Sequence, residues 1–387
     1  MNYSSLHFPA VVVLFVSALL VGCGTQTGEE GTFETETQNG ISVITNTDAP
    51  VWASVDEAPI RFELEQTFGV ESEPQEAILS STSSVAVDET GTVYVLDRSE
   101  HRVHAFNADG TLKWSAGRQG EGPGELNFPT HLLLRHNGHL LISHQQGSAI
   151  DVWDEAGGFV ERLDVGGVEG YLAPTLVFSE EDRLGFITRD EDNFDWFLVI
   201  VSQPDLQIIT ETPIAFELSG RPGISVLPQV AFTDGTLYLA QQDRYAVQGF
   251  TAEGERRKEI RRPDIGDLLG QGMYNPDGVL RIRTYSELSI PLIFPDGSSL
   301  IASYWSPDVD DPDETLRRAV DGEDVDISFN AALDLYEASG RLLGRLQWND
   351  ARKPDVGRPM IVGPNGKLYS ATDDPFPQVR RYAVHFE

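Results

Sequence analysis

The side chains with the widest chemical reach in this sequence are three histidines and six arginines set among acid. They are His101, His131 and His144, with Arg98, Arg102, Arg118, Arg189, Arg221 and Arg244, and they are the candidates for contacting a ligand. His131 and His144, with Asp97, also form a candidate set for a divalent metal or for moving protons, since imidazole nitrogens and a carboxylate can do both. No fixed ligand spacing supports that set, and a histidine at a strand end is commonly satisfied by backbone. An oxygen-rich stretch within residues 305–328 runs Asp308-Val-Asp-Asp-Pro-Asp-Glu314, then Asp321, Glu323, Asp324 and Asp326. It has ligands enough for Ca²⁺ but lacks the order and the glycine of an EF-hand loop, so a solvated acidic insertion competes with calcium binding. No nucleophile elbow supports a Ser-His-Asp triad. Gly117 to Gly124 carries four glycines without the Lys-Ser/Thr of a phosphate loop. The sequence predicts no organic cofactor.

These residues need a scaffold, and the sequence repeats one. A turn followed by a short apolar strand recurs at Gly91, Gly138, Asp182, Gly235, Gly297 and Gly366, with spacings of 47, 44, 53, 62 and 69 residues. Another strand precedes each turn, often opened by proline, as at Pro129, Pro174, Pro228, Pro291 and Pro359. Proline at a strand's first residue loses no ladder bond. Each pair is followed by a hairpin, and its turn ends in Gly110, Gly157, Gly254 and Gly340 in four units, where positive φ is cheap. Four short strands per unit at a repeat of about 45 residues is the arithmetic of a β-propeller. The expectation is an all-β, six-bladed β-propeller of four-stranded antiparallel blades over residues 50–387. The sixth unit stops one strand short, and a ring cannot close on a bare edge. The unassigned strand at residues 60–68 is therefore expected to pair with residues 379–386 and close the last blade.

The N-terminal region reads as an address. Ala10 to Val21 is an apolar run of twelve residues, too short for the roughly twenty that a spanning helix needs, and it reads as a signal-peptide core. It ends in Leu20-Val21-Gly22-Cys23, which resembles the bacterial lipobox, although no Lys or Arg precedes it. The lone cysteine sits where that motif requires it. Residues 1–22 are thus expected to be a lipoprotein signal peptide, with Cys23 lipidated and several acyl chains holding the protein to a membrane. Residues 23–49, rich in Thr, Gly and Glu, are expected to be a flexible acidic tether. The resemblance to bacterial lipoproteins, with Gly24 after the cysteine in place of an inner-membrane retention Asp, implies the outer membrane of a bacterial cell envelope as the destination, facing either the periplasm or the outside.

Composition narrows the function. Lys+Arg 28 against Asp+Glu 61 leaves a net charge of −33, which excludes a nucleic-acid binder. A single cysteine excludes a disulfide framework and a Cys-based structural zinc site.

Unit one also carries a family phrase. Val85-Ala-Val-Asp-Glu-Thr-Gly-Thr-Val-Tyr-Val-Leu-Asp97, Arg102 to Gly110, and Gly117-Arg-Gln-Gly-Glu-Gly-Pro-Gly-Glu-Leu126 with Pro129 resemble the NHL repeat. More narrowly they are similar to bacterial six-bladed propeller lipoproteins with a G-x-x-G-x-G-P-G-E-[FL] phrase. The resemblance implies that Asp97 caps its own blade's loop and that the glycine-rich phrase is a crossover between blades. In such a blade the B–C and D–A loops share one face, and the candidate residues fall there; long loops on a rigid scaffold are where sites tend to lie. The expected function is a binding or scaffold module for a small ligand, peptide or glycan at that face. The alternative is a metal-dependent enzyme in the central channel, because six-bladed relatives include lactonases and a lyase acting on peptidyl-hydroxyglycine.

Overall fold

The computed structural model describes residues 32–386, except 53–54, 136, 145–148, 166–170, 180–182, 191–195, 204, 215–228, 234, 242–244, 264–285, 290, 306–329 and 349–355. The described residues open with four strands that belong to blades formed far downstream: β1 (Thr32–Gln38), β2 (Ile41–Thr47), β3 (Val51–Trp52) and β4 (Ile60–Phe68). Blade one is β5 (Thr82–Val87), β6 (Val93–Asp97), β7 (Arg102–Phe106) and β8 (Leu112–Ala116). Blade two is β9 (Pro129–Leu134), β10 (Leu140–His144), β11 (Ala149–Trp153) and β12 (Phe159–Asp164). Blade three is β13 (Tyr171–Ser179), β14 (Arg183–Asp190), β15 (Trp196–Ser202) and β16 (Ile208–Ile214). Blade four is β17 (Gln229–Thr233), β18 (Thr236–Gln241), β19 (Ala246–Thr251) and β20 (Arg256–Arg261).

In blade five the innermost strand is broken into β21 (Ser286–Leu288) and β22 (Leu292–Ile293), both paired with β23 (Ser299–Trp305), followed by β24 (Asn330–Tyr336) and β25 (Leu342–Trp348). Blade six is β26 (Arg358–Val362), β27 (Leu368–Thr372) and β28 (Gln378–Phe386), completed by β4. The six-bladed ring and its closure are as the repeat arithmetic requires. Val379 lies opposite Phe68 and Phe386 opposite Ile60 in the antiparallel β28–β4 ladder.

The expectation of a flexible tether is corrected for residues 32–47. β1 and β2 form a hairpin, and β2 joins the outer edge of blade four in parallel with β20. β3 then pairs in parallel with β25 of blade five. The N-terminal segment thus runs along the rim of blades four, five and six in turn. Val43, Ile44 and Asn46 of the hairpin are deeply buried and most of β1 is exposed, so its Thr/Glu-rich exposed face disguised it as tether. Asn46 fixes it: Nδ2 donates to Gly340 O at 3.1 Å, and Leu342 N donates to Oδ1 at 2.9 Å. Residues 1–31, with the apolar run and Cys23, lie outside the described residues.

Strand alternation builds the core. Val93 and Val95 point into the seam with blade six, while Tyr94 and Leu96 point into the seam with blade two, because successive side chains leave opposite faces. The described residues contain an apolar cluster in each seam between neighbouring blades. Strands covered on both faces therefore read as continuous apolar runs. On one face of the ring the turns are tight: the N–H groups of Gly110, Gly157, Gly254 and Gly340 donate back to the residue three earlier, at φ of 83° to 89°. In blade three, where the glycine is missing, Leu206 takes the left-handed conformation at φ 51°. The opposite face carries the longer connections.

Candidate functional site

A cleft of about 340 Å³ opens on the face of the longer connections, lined by Gln75, Glu76, Ile78, Ser80, Glu100, Arg102 and His104. Its two walls are the link from β4 to β5 and the β6–β7 loop with the start of β7. The link contains a single 3-10 turn, Gln75–Ala77, and Ala77 and Leu79 anchor it in the blade six–blade one seam. Asp97, fully buried at the end of β6, ties the walls together. Its Oδ2 accepts from Ser80 N at 2.6 Å and Ser81 N at 3.3 Å, and its Oδ1 accepts from Ser99 N and Glu100 N, both at 3.0 Å. A carboxyl satisfied by four backbone donors is a strong local brace. Ser80 Oγ donates to Glu100 Oε1 across the rim at 3.2 Å.

His104 lies deeper, with only 2 % of its surface exposed. Its Nδ1 is 3.0 Å from Glu76 O. A carbonyl oxygen only accepts, so Nδ1 carries the proton and Nε2 presents a lone pair. Nε2 is buried and has no hydrogen-bond partner among the described residues. Burial pushes the imidazole below its usual range, against the opposing pull of Asp97, Glu76 O and Glu100, so the ring is neutral at neutral pH. Arg102 Nη1 donates to Ser115 Oγ at 3.3 Å. The chemistry of the cleft is therefore one cation, two carboxylates and a neutral imidazole acceptor.

The other candidates from the sequence are not gathered there. Asp97 braces the cleft rather than ligating within it, and Arg98 N donates to Ser81 O at 3.0 Å on its rim. His101, at φ 54°, is committed to the glycine-rich crossover: Nδ1 lies 3.0 Å from Leu126 O and 3.3 Å from Phe128 N, donating to the first when it carries the proton and accepting from the second when it does not. Arg118 donates to Glu125 through Nε at 2.8 Å and Nη2 at 2.6 Å, and Glu125 also accepts from Gly122 N at 2.9 Å. A Cβ at Gly117 would stand 2.7 Å from His101 O, so glycine is required where the crossover passes β7.

His144 also serves the scaffold. Its Nδ1 lies 3.2 Å from both the N and the O of Asn127, and Nε2 makes a long 3.4 Å approach to Asp151 Oδ2. Asp151 is fully buried, and Arg162 donates to it from Nε at 2.5 Å and Nη2 at 2.9 Å. Burial raises the carboxyl, but Arg162 and His144 outweigh it and hold Asp151 below its usual range. His131 stands apart on innermost β9, opposite Ser143. Burial alone pushes its imidazole down to about 4, and Nδ1 is sealed and unpartnered although the residue as a whole is half-buried. Among the described residues no three His, Cys, Asp or Glu side chains converge as a metal site. Arg189 lies on β14, opposite Leu172 and Trp196. Arg221, Arg244 and residues 306–328 of the acidic stretch lie outside the described residues.

The sequence candidates therefore included Arg102 but missed His104, Glu76 and Gln75. A signal for His104 existed. Counted six residues back from the turn glycine, His104, Asp151, Gln248 and Asp334 occupy one position of the repeat, and none exposes more than 2 %. Asp151 and Asp334 face Arg162 and Arg345 across the sheet, whereas His104 faces Ser115. A polar residue recurring at a buried strand position needs a partner, and His104 lacks a charged one there.

No family model matches the chain, and no curated protein matches it in sequence. Solved structures do resemble it. A protein from Bacteroides fragilis NCTC 9343, described as exported, superposes with a TM-score of 0.57 at 9% identity over 89% of this chain and 99% of that one. A DUF4221-family member from Bacteroides vulgatus ATCC 8482 superposes at 0.53 and 9% identity, over 85% and 99%. What this chain shares with these proteins is the fold.

Proposed function

We propose that this protein is a lipid-anchored, extracytoplasmic propeller that binds a small ligand, peptide or glycan, with the blade-one cleft as its site. One observation carries the reading: His104 lines a cleft of about 340 Å³ and keeps a buried ring nitrogen unpaired. Buried polar atoms are almost always paired, and clefts of this size hold small ligands. The cleft also lies among the longer connections, where a propeller can vary residues without disturbing its seams.

The lipobox-like Leu20 to Cys23 and the likeness to a protein described as exported support a cell-envelope location. Gly24 favours the outer membrane, and the membrane is then a partner through acylated Cys23. Growth with a labelled fatty acid should label the wild-type protein and not Cys23→Ala; equal labelling sinks the anchor. For binding, a thermal-shift screen of small molecules against the detergent-solubilised mature protein should find compounds that stabilise wild type and fail to stabilise Arg102→Gln. A screen yielding no such difference sinks the site.

A second reading, a metal-dependent lactonase- or lyase-like enzyme in the central channel, is favoured by His131. With Nδ1 sealed, the neutral imidazole of this innermost-strand residue could serve a divalent ion only through Nε2. Calorimetry with Zn²⁺, Mg²⁺ and Ca²⁺ on metal-stripped protein tests it. Tight binding that His131→Ala abolishes supports the enzyme, and a featureless titration removes it.

A further inference from the structure

The cleft chemistry is specific enough to name a ligand class, and this inference rests on the binding reading above. We infer that the blade-one cleft takes a zwitterionic amino compound, a free amino acid or a short peptide, with its carboxylate on Arg102 and its ammonium among His104, Glu76 and Glu100.

The argument starts from donors and acceptors. His104 Nδ1 is spent on Glu76 O, so the buried Nε2 can only accept. A bound group that completes it must present an O–H or N–H donor. The carboxylates of Glu76 and Glu100 on the same cleft are also acceptors, and Ser80 Oγ donates to Glu100. Three acceptors in one small cleft call for a donor-rich ligand.

Charge then separates the donor-rich classes. With His104 neutral, the lining carries Arg102 against Glu76 and Glu100, a net charge of −1 before the rest of a −33 protein is counted. An acidic sugar would add a second negative charge to a negative cleft. A neutral sugar would leave the Arg102 fork facing no carboxylate, although that planar group pairs best with one. A zwitterion answers both ends at once and leaves the charge of the cleft unchanged. Ile78 supplies the apolar wall for an aliphatic portion. The cleft volume of about 340 Å³ lies at the small end of ligand sites, which suits a molecule of amino-acid to dipeptide size.

The experiment is isothermal titration of detergent-solubilised mature protein with free L-amino acids and dipeptides, and then with the N-acetyl and the carboxamide forms of the best binder. The expected result is binding by the zwitterion, with each blocked form about 10- to 100-fold weaker, as for loss of a charge-assisted hydrogen bond. Arg102→Gln should weaken the parent and leave the affinity for the carboxamide unchanged. His104→Phe should weaken the parent and the carboxamide alike. Because His104 is buried and its variant can misfold, the blocked ligands on wild-type protein give the same answer without substitution. An N-acetyl form that binds as well as its parent overturns the inference. So does a zwitterion whose affinity neither variant alters. If neutral sugars or sugar acids bind in an Arg102-dependent way and zwitterions do not, the ligand class is wrong while the binding site stands. If nothing in any of these classes binds, both readings fail.

Discussion

Phe68, the last residue of the strand before blade one, lies directly opposite Val379 on the last strand of the chain, and both are fully buried. Phe68 also meets Phe106 of blade one at 6.1 Å and Tyr369 of blade six at 6.2 Å between ring centroids. One side chain thus joins the closing ladder to the seam beside it. Phe68→Ala should cost about 3 to 5 kcal/mol, as for loss of a buried aromatic. Leu64→Ala on the same strand, half-exposed, should cost under about 1 kcal/mol. Urea unfolding of the two variants checks this, and equal losses would mean the ring does not depend on this junction.

Blades four and five should be coupled by a buried ionic cluster. Asp334 accepts from Arg345 Nε at 2.6 Å and Nη2 at 2.8 Å, from Arg262 Nη1 at 3.3 Å, and from the Tyr245 hydroxyl. Asp334→Leu is expected to cost about 3 to 5 kcal/mol, because it strips buried Arg345 of its carboxylate. Adding Arg345→Met should return much of that loss. A double variant less stable than Asp334→Leu would refute the pairing as the source of the cost.

Acid should act on His131. Its imidazole sits at about 4 in the folded protein, against an unfolded value near 6.5. Between those values the unfolded chain binds the extra proton, so this contribution is complete above about pH 6.5 and is lost as pH falls toward 4. The stability gap between wild type and His131→Leu should shift by about 2 to 3 kcal/mol from pH 7 to pH 4. Denaturant unfolding at both pH values, with a gap that stays constant, would show that the ring is not buried neutral.

The rim hairpin should resist protease. A flexible tether over residues 32–47 would be cut first, whereas a strand laid on β20 and held by Asn46 is protected. Asn46→Leu leaves Gly340 O and Leu342 N without their buried partners and should cost about 1 to 3 kcal/mol. It should also speed cleavage within the hairpin, read by mass spectrometry of limited digests.

The number of blades, the closing strand and the tight-turn face were legible in the sequence because each depends on local rules. A glycine at positive φ ends a turn, apolar residues alternate along strands, and an incomplete last unit needs a strand from the other end. The capping role of Asp97 came from the resemblance to the NHL repeat, and its partners Ser80, Ser81, Ser99 and Glu100 lie within seventeen residues of it. The hairpin at 32–47 was not, because its few apolar residues are explained only by an edge strand more than two hundred residues away.

The site divides the same way. Arg102 stood out by its charge on a loop-rich face, but His104 read as one more strand residue. Its importance comes from Glu76, 28 residues upstream, which reaches it only when blade six closes beside blade one. Conversely His101, Arg118 and His144 were ligand candidates in the sequence and are bound into the crossover and blade two. Local spacing decided which elements form. The ring decided which polar groups meet, because a buried imidazole or carboxyl takes its role from whichever neighbour closure brings within hydrogen-bond reach.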